Sequence, residues 1–569
     1  MSVFFNGRLW VSPVTASVVD DSAMNNTNVG VSNVLAIIGK SEGGQPFTAL
    51  SFGSATEARA TLISGESLKA IENAFDPSAQ TTGPSTIIFV RVNPALQSSL
   101  NLLDANGNVA INLVSQDWGL HTNGIKVKIE SASLVGSKVT SQFGNNYYSA
   151  DNIHKNALSV HYTGAAATAT IAINADTVTL VYDSTITAND LNTYKTVGSL
   201  VDRINAEAGF SAAVLDGNIE TPALNGLDFV AAQDVKSTSF TVTGNLQAIV
   251  DWMNSMGEGY VTATRAINAG LVPVNIPFSY LTGGTDGMVT MNEWQQAYDA
   301  LQSVDAQWVV PISSNPALHA MNDTHCSYMS NIARMERRGI VGGDIGTTDL
   351  QAIAAAKMLN SDRTSYTHLG FYDYDVNGNL TLYPPYIMAG LLAGMFSGVN
   401  PGTALTNKEV KIRGIERSLR NPTDTDILIN GGVLCVENTK KGYKVVKSIT
   451  TWLINNNYNR VEVSVGVACD FTSRAVRDAV DDLRGAKGSP SLLADAVSRA
   501  ETALRQLSVP EPMGPGVLVG DKLNPPYKNI TATLSGDVLR IEYQASPVIP
   551  ANYILLVMHA VPYSGSASL

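Results

Sequence analysis

Three short stretches carry residue types that could do chemistry. The first, "VLAIIGKSEGG" (residues 34–44), ends an apolar run on Gly39-Lys40-Ser41. A phosphate-cradling loop needs a glycine five positions earlier and a helix opening directly after the serine. Position 34 is Val34, and Glu-Gly-Gly-Gln-Pro follows Ser41, which puts a carboxylate where phosphate would sit. The pattern reads as a strand ending in a glycine-rich turn. In the second stretch, Asp373, Asp375, Asn377 and Gly378 match the first half of an EF-hand calcium loop. The twelfth position, which should be a bidentate glutamate, is Pro384. Asn377-Gly378 between two strand-like runs reads instead as a hairpin turn. In the third, His319, Asp323, His325 and Cys326 form the densest set of metal-ligand types. Six residues separate the two histidines, so on a helix they face different ways, and no spaced Cys or His partner stands nearby.

Nothing else rises to a reaction centre. There is no Gly-x-Ser-x-Gly elbow, no His-Glu-x-x-His and no paired-glycine dinucleotide fingerprint. Asp481-Asp482 and Asp424/Asp426 sit in polar contexts and read as solvated faces. "FVRVN" (residues 89–93) and Arg334, Arg337 and Arg338 could hold anions or make ion pairs within or between subunits. The expectation is a protein that is not an enzyme, with no catalytic residues, no cofactor and no metal.

The chain that must position these residues has 569 residues, enough for about four domains at roughly 150 residues each. Apolar residues make up 44% and charged residues only 15%, a balance suited to cores and broad subunit contacts. The net charge of −12 argues against a nucleic-acid binder or an anionic-membrane binder, both of which need a cationic footprint. Cys326, Cys435 and Cys469 are scattered and odd in number, as expected of reduced core thiols in a cytoplasm. "MSVFFNGRLW" shows no signal peptide, and "IMAGLLAGMF" (residues 387–396) is too short to span a bilayer, so it reads as a buried helix or strand–helix junction.

Five regions follow from texture. Residues 1–33 read as a short strand on a polar tether, an arm able to satisfy its backbone groups on another sheet. Residues 34–96 read as strand, turn, helix and strand, a small α/β unit. Residues 97–280 lose charge and alternate polar with apolar, as in one or two inserted antiparallel β domains. Residues 281–507 alternate helices and strands as an α/β core, with Thr348 or Asp349 as a helix cap and strands expected at "GGVLCVEN", "YKVVKSITTWL" and "RVEVSVGVA". Helix is expected over 471–507, broken at "GAKGSP". Residues 508–569 read as a Pro/Gly link, a strand pair at "NITATLSGDVLRIEYQAS" and a last apolar strand, "YILLVMHAV" (residues 553–561).

The order of these segments resembles the contractile tail sheath proteins of bacteriophages. "VLAIIGKSEGGQPFTALSF" is similar to that family's opening strand, glycine turn and proline. "WGLHTNGIKVKI", through Gly119 and Asn123, is similar to its Gly-x-x-x-Asn lead into a strand. "YPPYIMAGLLAG", "NPGTALTNKEVKIRGI", "GYKVVKSITTW" and "LRIEYQASPVIPANYILLVMHAV" resemble later passages in the family's order. Residues 130–280 match only in being an insertion.

The resemblance implies an α/β and α+β multidomain chain, with a core sheath domain assembled from N- and C-terminal parts and antiparallel β domains inserted. It implies a homo-oligomer of stacked rings or a helix around a tail tube protein, joined to baseplate and tail terminator or neck proteins. No direct nucleic-acid contact and no membrane insertion are implied. The location would be the virion tail, after assembly in the host cytoplasm. Contraction from a metastable extended state would drive the tube through the host envelope. Two alternatives stand beside it: the sheath of a related contractile injection system, and a β-rich surface-binding protein. Intersubunit β-augmentation is expected through Val14, Ala16 and Val18 of the arm and Tyr553, Leu555 and Val557 of the last strand. By analogy with the family, Arg474, Arg477, Arg499 and Arg505 would face the tube.

Overall fold

A computed structural model describes residues 3–5, 8–10, 34–255, 260–561 and 565. Its centre is a six-stranded sheet ordered Thr364–Thr367, Arg338–Gly342, Trp308–Pro311, Val34–Gly39, Thr86–Arg91, Ala49–Phe52. The first five are parallel and the last is antiparallel. Strand Val34–Gly39 therefore lies between Thr86–Arg91 and Trp308–Pro311, and the sheet is assembled from segments on either side of the insertion. Its residues from Leu35 to Gly39 are all buried, as in a parallel sheet covered on both faces.

Helices Glu66–Phe75 and Pro385–Ser397 cover one face, joining the core that includes Leu35, Ile37, Ile87 and Phe89. Met291–Ala300 and Pro316–Asn331 cover the other, packing on Ala36, Ile38 and Val90. The apolar run of residues 387–396 is thus a buried helix. A Cβ on Gly394 would lie 2.4 Å from the Ala74 carbonyl oxygen, so the glycine permits the close crossing of these two helices.

The insertion contains two nested modules. The outer one combines strands from 99–153 with helix Asn245–Ser255 and strands Val261–Arg265 and Ile276–Tyr280. The inner one, residues 156–243, packs antiparallel strands around Leu158, Ile171, Leu180 and Leu200. Both contain a helix that alternation did not suggest. Helix Val197–Asn205 is fixed by a capping box between Thr196 and Ser199.

The last part contains helices Val463–Val480 and Pro490–Leu507 and hairpin Tyr527–Ser535/Val538–Ala545, which lays one face on the second helix. Two sequence expectations fail here. "RVEVSVGVA" is helical from Val463 onward rather than a strand. Val463, Ser464, Val465 and Gly466 are all buried, so this stretch has no solvent side for an alternating pattern to report. Residues 553–561 form no strand and, among the described residues, pair with none. At the other end the described backbone is a hairpin, Val3–Phe5 with Arg8–Trp10, where one short strand was expected. Val14, Ala16 and Val18 lie outside the described residues.

Candidate subunit and tube contact surfaces

The stretches that first suggested chemistry are committed to structure. Ser41 donates its hydroxyl to the Gly43 carbonyl at 2.7 Å. Asn93 bonds both the N–H and the carbonyl of Ser41, so the turn is closed on itself. Asp375 accepts from the N–H groups of Asn377 and Asn379 inside a hairpin whose Gly378 has φ +81, an arrangement a tight turn requires. His319 bonds the Ser313 carbonyl, Asp323 accepts from the Thr364 hydroxyl and Cys326 is buried, its thiol pushed up to about 12 by burial. Among the described residues no three His, Cys, Asp or Glu side chains come together to hold a metal ion.

Of the expected anion-binding arginines, Arg91, Arg337 and Arg338 are buried fasteners. Arg91, fully buried, donates to the carbonyls of Gly44 and Trp118, each at 2.8 Å, and to Asp286 at 3.1 Å. Those partners belong to the core turn, the chain entering the insertion and the chain leaving it. Burial pulls the Arg91 guanidinium below its ordinary value, and the charge of Asp286 opposes this. Gly119, at φ +126, leaves room for the clasp: a Cβ there would meet the Glu42 carbonyl at 2.6 Å and Asp286 at 2.8 Å. Asn123 exchanges two hydrogen bonds with Gly284, tying the two crossings together. Burial works to raise Asp117, but hydrogen bonds from His121 and from the N–H groups of Gly44 and Trp118 outweigh it and hold the carboxyl below its usual range. The sequence singled out Gly119 and Asn123 but not Asp117 or Asp286, whose partners lie on other segments. Arg338 and Arg363 share Asp470, at 2.9 and 2.7 Å, and so pin helix Val463–Val480 to the sheet. Arg334 lends only its carbonyl, which accepts from Arg477.

The four arginines expected at a tube surface separate into two kinds. Arg474 pairs with Asp305 at 2.9 Å and Glu336 at 3.4 Å, and Arg477 also binds Glu336, so both brace the helix against its own core. Arg499 lies between Asp482 at 2.6 Å and Asp495 at 3.0 Å. Arg505 is exposed and, among the described residues, has no carboxylate within ion-pair distance.

Beyond the hairpin the chain turns apolar and bare. Tyr553, Leu555, Leu556 and Val557 are 77%, 91%, 91% and 78% exposed. Their root is well held. Asn552 donates to Glu462 at 3.0 Å, and the Lys447 ammonium sits 5.5 Å from the Tyr553 ring centroid. Glu462 is buried, which raises its carboxyl above the ordinary value. Hairpin Tyr527–Ser535/Val538–Ala545 forms a two-stranded sheet with both outer edges unpaired among the described residues. A run of exposed apolar side chains and two open edges is an arrangement that isolated chains avoid.

No family model matches the chain. The tail sheath protein of Bacillus phage SP01 is 27% identical over 586 residues, covering 99% of this chain and 98% of that one. The putative tail sheath protein of Enterococcus phage phiEF24C is 26% identical, covering 83% and 84%. The tail sheath protein of Staphylococcus phage Twort is 24% identical, covering 80% and 82%. Among solved structures, the sheath tail protein of Listeria innocua superposes with TM-score 0.57 over 93% of this chain and 95% of its own, at 12% identity. That of Desulfitobacterium hafniense gives TM-score 0.54 over 94% and 96%, also at 12% identity. Along its whole length the chain is similar in sequence to phage tail sheath proteins, and it shares its fold with solved sheath tail proteins.

Proposed function

We propose that this chain is the structural subunit of a contractile tail sheath. Copies encircle a tail tube in an extended state and rearrange to a shorter, wider packing that drives the tube through a host envelope. The observation that carries this reading is the likeness to phage tail sheath proteins over 99% of the chain. The work comes from the difference in burial and charge pairing between two packings of the same subunits, and no nucleotide is needed.

Subunits that rotate past one another stay joined only if something flexible ties them. The exposed residues Tyr553, Leu555 and Val557 serve this purpose by adding to a sheet of a neighbouring subunit. Hairpin Tyr527–Ser535/Val538–Ala545, with its open edges, is the natural receiver. The arm segment containing Val14, Ala16 and Val18 acts the same way from the other end. Its polar tether up to residue 33 takes up the motion. Tube contact falls to the outer face of helix Pro490–Leu507, through Arg505 and the partly committed Arg499, while Arg474 and Arg477 hold the neighbouring helix in place. Baseplate and terminator proteins close the two ends, and the assembled protein resides in the virion tail.

Electron microscopy of the purified chain tests the reading. Striated tubes or stacks of thick rings are expected, and discrete particles at every concentration would refute it. Reversing Arg499 and Arg505 to glutamate is expected to weaken co-assembly with tube protein; unchanged co-assembly removes that contact.

A further inference from the structure

The outer module of the insertion contains a four-stranded antiparallel sheet ordered Asn146–Ile153, Ser137–Phe143, Lys126–Ser131, Ile276–Tyr280. Alternation divides its side chains between two faces. One face is core, and Val127, Ile129 and Val139 on it are buried. The other face is open. The register sets Tyr280 beside Lys126, Lys126 beside Gln142 and Gln142 beside Tyr147, so these four share one row across the sheet. Tyr147 and Tyr280 are 57% and 56% exposed and stand at the two ends of the row. Three strand spacings separate them, about 14 Å. Phe278, 37% exposed, lies next to the row, with Lys126 Nζ 4.9 Å and Lys128 Nζ 5.7 Å from its ring centroid.

Two features distinguish this face from an ordinary solvated sheet. Its aromatic rings leave apolar area in water at both ends of an aligned row. Its charge also runs against that of the chain, which carries −12 overall. Lys126, Lys128 and Lys138 share the face with Glu130 and Asp151. Glu130 is taken by Lys128 at 2.7 Å, and Asp151 accepts from the N–H groups of Ser133 and Asn152. Lys126 has no carboxylate within ion-pair distance among the described residues. It is held by rings alone, lying 5.7 Å from the Tyr280 centroid as well as over Phe278. An ammonium fixed between two rings in the middle of an open row is a ready partner for an anion.

We propose that this face binds an acidic polysaccharide, extended along the row from Tyr280 to Tyr147. The C–H faces of sugar rings stack on the two tyrosines, a carboxylate pairs with Lys126, and the Gln142 amide bonds sugar hydroxyls. Charge complementarity selects an acidic polymer over a neutral one, and the spaced rings select sugars over a simple polyanion. The proposal stands on this face alone, whether or not copies assemble into a sheath.

Binding of the full chain to polygalacturonate, dextran and polyglutamate tests it. Polygalacturonate is expected to bind. Dextran, which lacks the charge, and polyglutamate, which lacks the rings, are each expected to bind about tenfold more weakly or worse. Tyr147→Ala/Tyr280→Ala is expected to weaken polygalacturonate binding about tenfold, and Lys126→Gln to weaken it and to flatten its dependence on salt. Both variants are expected to keep the melting temperature of the unsubstituted chain, because the altered side chains lie on the open face. Failure to bind polygalacturonate overturns the proposal, including the case in which the tyrosine variant loses self-assembly, which would make the face a contact between copies. Equal binding of dextran or of polyglutamate overturns it as well, as does binding that survives the tyrosine substitutions. If those substitutions unfold the chain, Lys126→Gln decides alone, and unchanged binding by that variant overturns the site.

Discussion

The six-stranded core sheet and the C-terminal hairpin are both β structure, yet they meet opposite conditions. Every inner strand of the core sheet is paired on both sides, and helices close both faces. The hairpin covers one face with helix Pro490–Leu507, leaves both edges unpaired among the described residues, and hands on to a bare apolar segment. The first region is complete within one chain. On the proposed reading, the second satisfies its backbone and its apolar side chains when other copies supply them. Stability and assembly are therefore expected to be separable, controlled by different residues.

Removal of residues 553–569 tests that separation most sharply. The truncated chain is expected to unfold at the same temperature as the full chain while forming no tubes or ring stacks, an all-or-none change visible by electron microscopy. A comparable loss of melting temperature would show that the segment belongs to the fold. The converse is Gly394→Val, which drives a side chain into the Ala74 backbone at the crossing of the two core helices. It is expected to cost about 3 kcal/mol in chemical denaturation, while any protein that still folds keeps the ability to assemble.

Next in size is Arg91→Met at the clasp of the insertion. It strands three acceptors on three segments, and with Asp286 partly open to water the expected loss is about 2–3 kcal/mol. Limited proteolysis is expected to cut near the two crossings sooner than within either module. If the insertion stays as protected as before, the clasp is not what holds it.

The effects of pH carry opposite signs in the two regions. His325 is buried beside Arg337, and burial first, then that charge, push its value down to about 3. The unfolded chain takes up this proton first, so the His325 contribution is full above about pH 6.5 and is lost as pH falls toward 3. Glu462 at the root of the C-terminal segment is raised by burial. The folded chain takes up that proton first, so its contribution is full at low pH and is lost as pH rises through the folded value. Melting temperature against pH for Glu462→Gln should therefore gain on the unsubstituted chain toward neutrality, and a gain toward acid instead would reverse the assignment.

The comparison also marks where the sequence could be read. Val34–Gly39, the Thr348 cap, the Asn377-Gly378 turn and the hairpin after residue 527 were legible because each is decided within a few residues: an apolar run, a side chain accepting an N–H, a glycine at positive φ. Helix Val463–Val480 was not legible at its start. Its valines alternate as in a strand, and only burial on every side selects the helix. Arg338 and Arg474, read as anion-binding and tube-facing, pair with Asp470 and Glu336, because a sequence does not show which carboxylate arrives from 130 or more residues away.

The sequence by itself determined many of the elements, the order that makes the chain resemble tail sheath proteins, and the apolar character of its last stretch, because these rest on local propensity and side-chain type. Only the tertiary structure decided which strands flank Val34–Gly39, that Arg91 fastens the insertion, and that residues 553–561 pair with no strand among the described residues. Those outcomes depend on which distant groups meet, and pairing across hundreds of residues is set by packing rather than by local pattern.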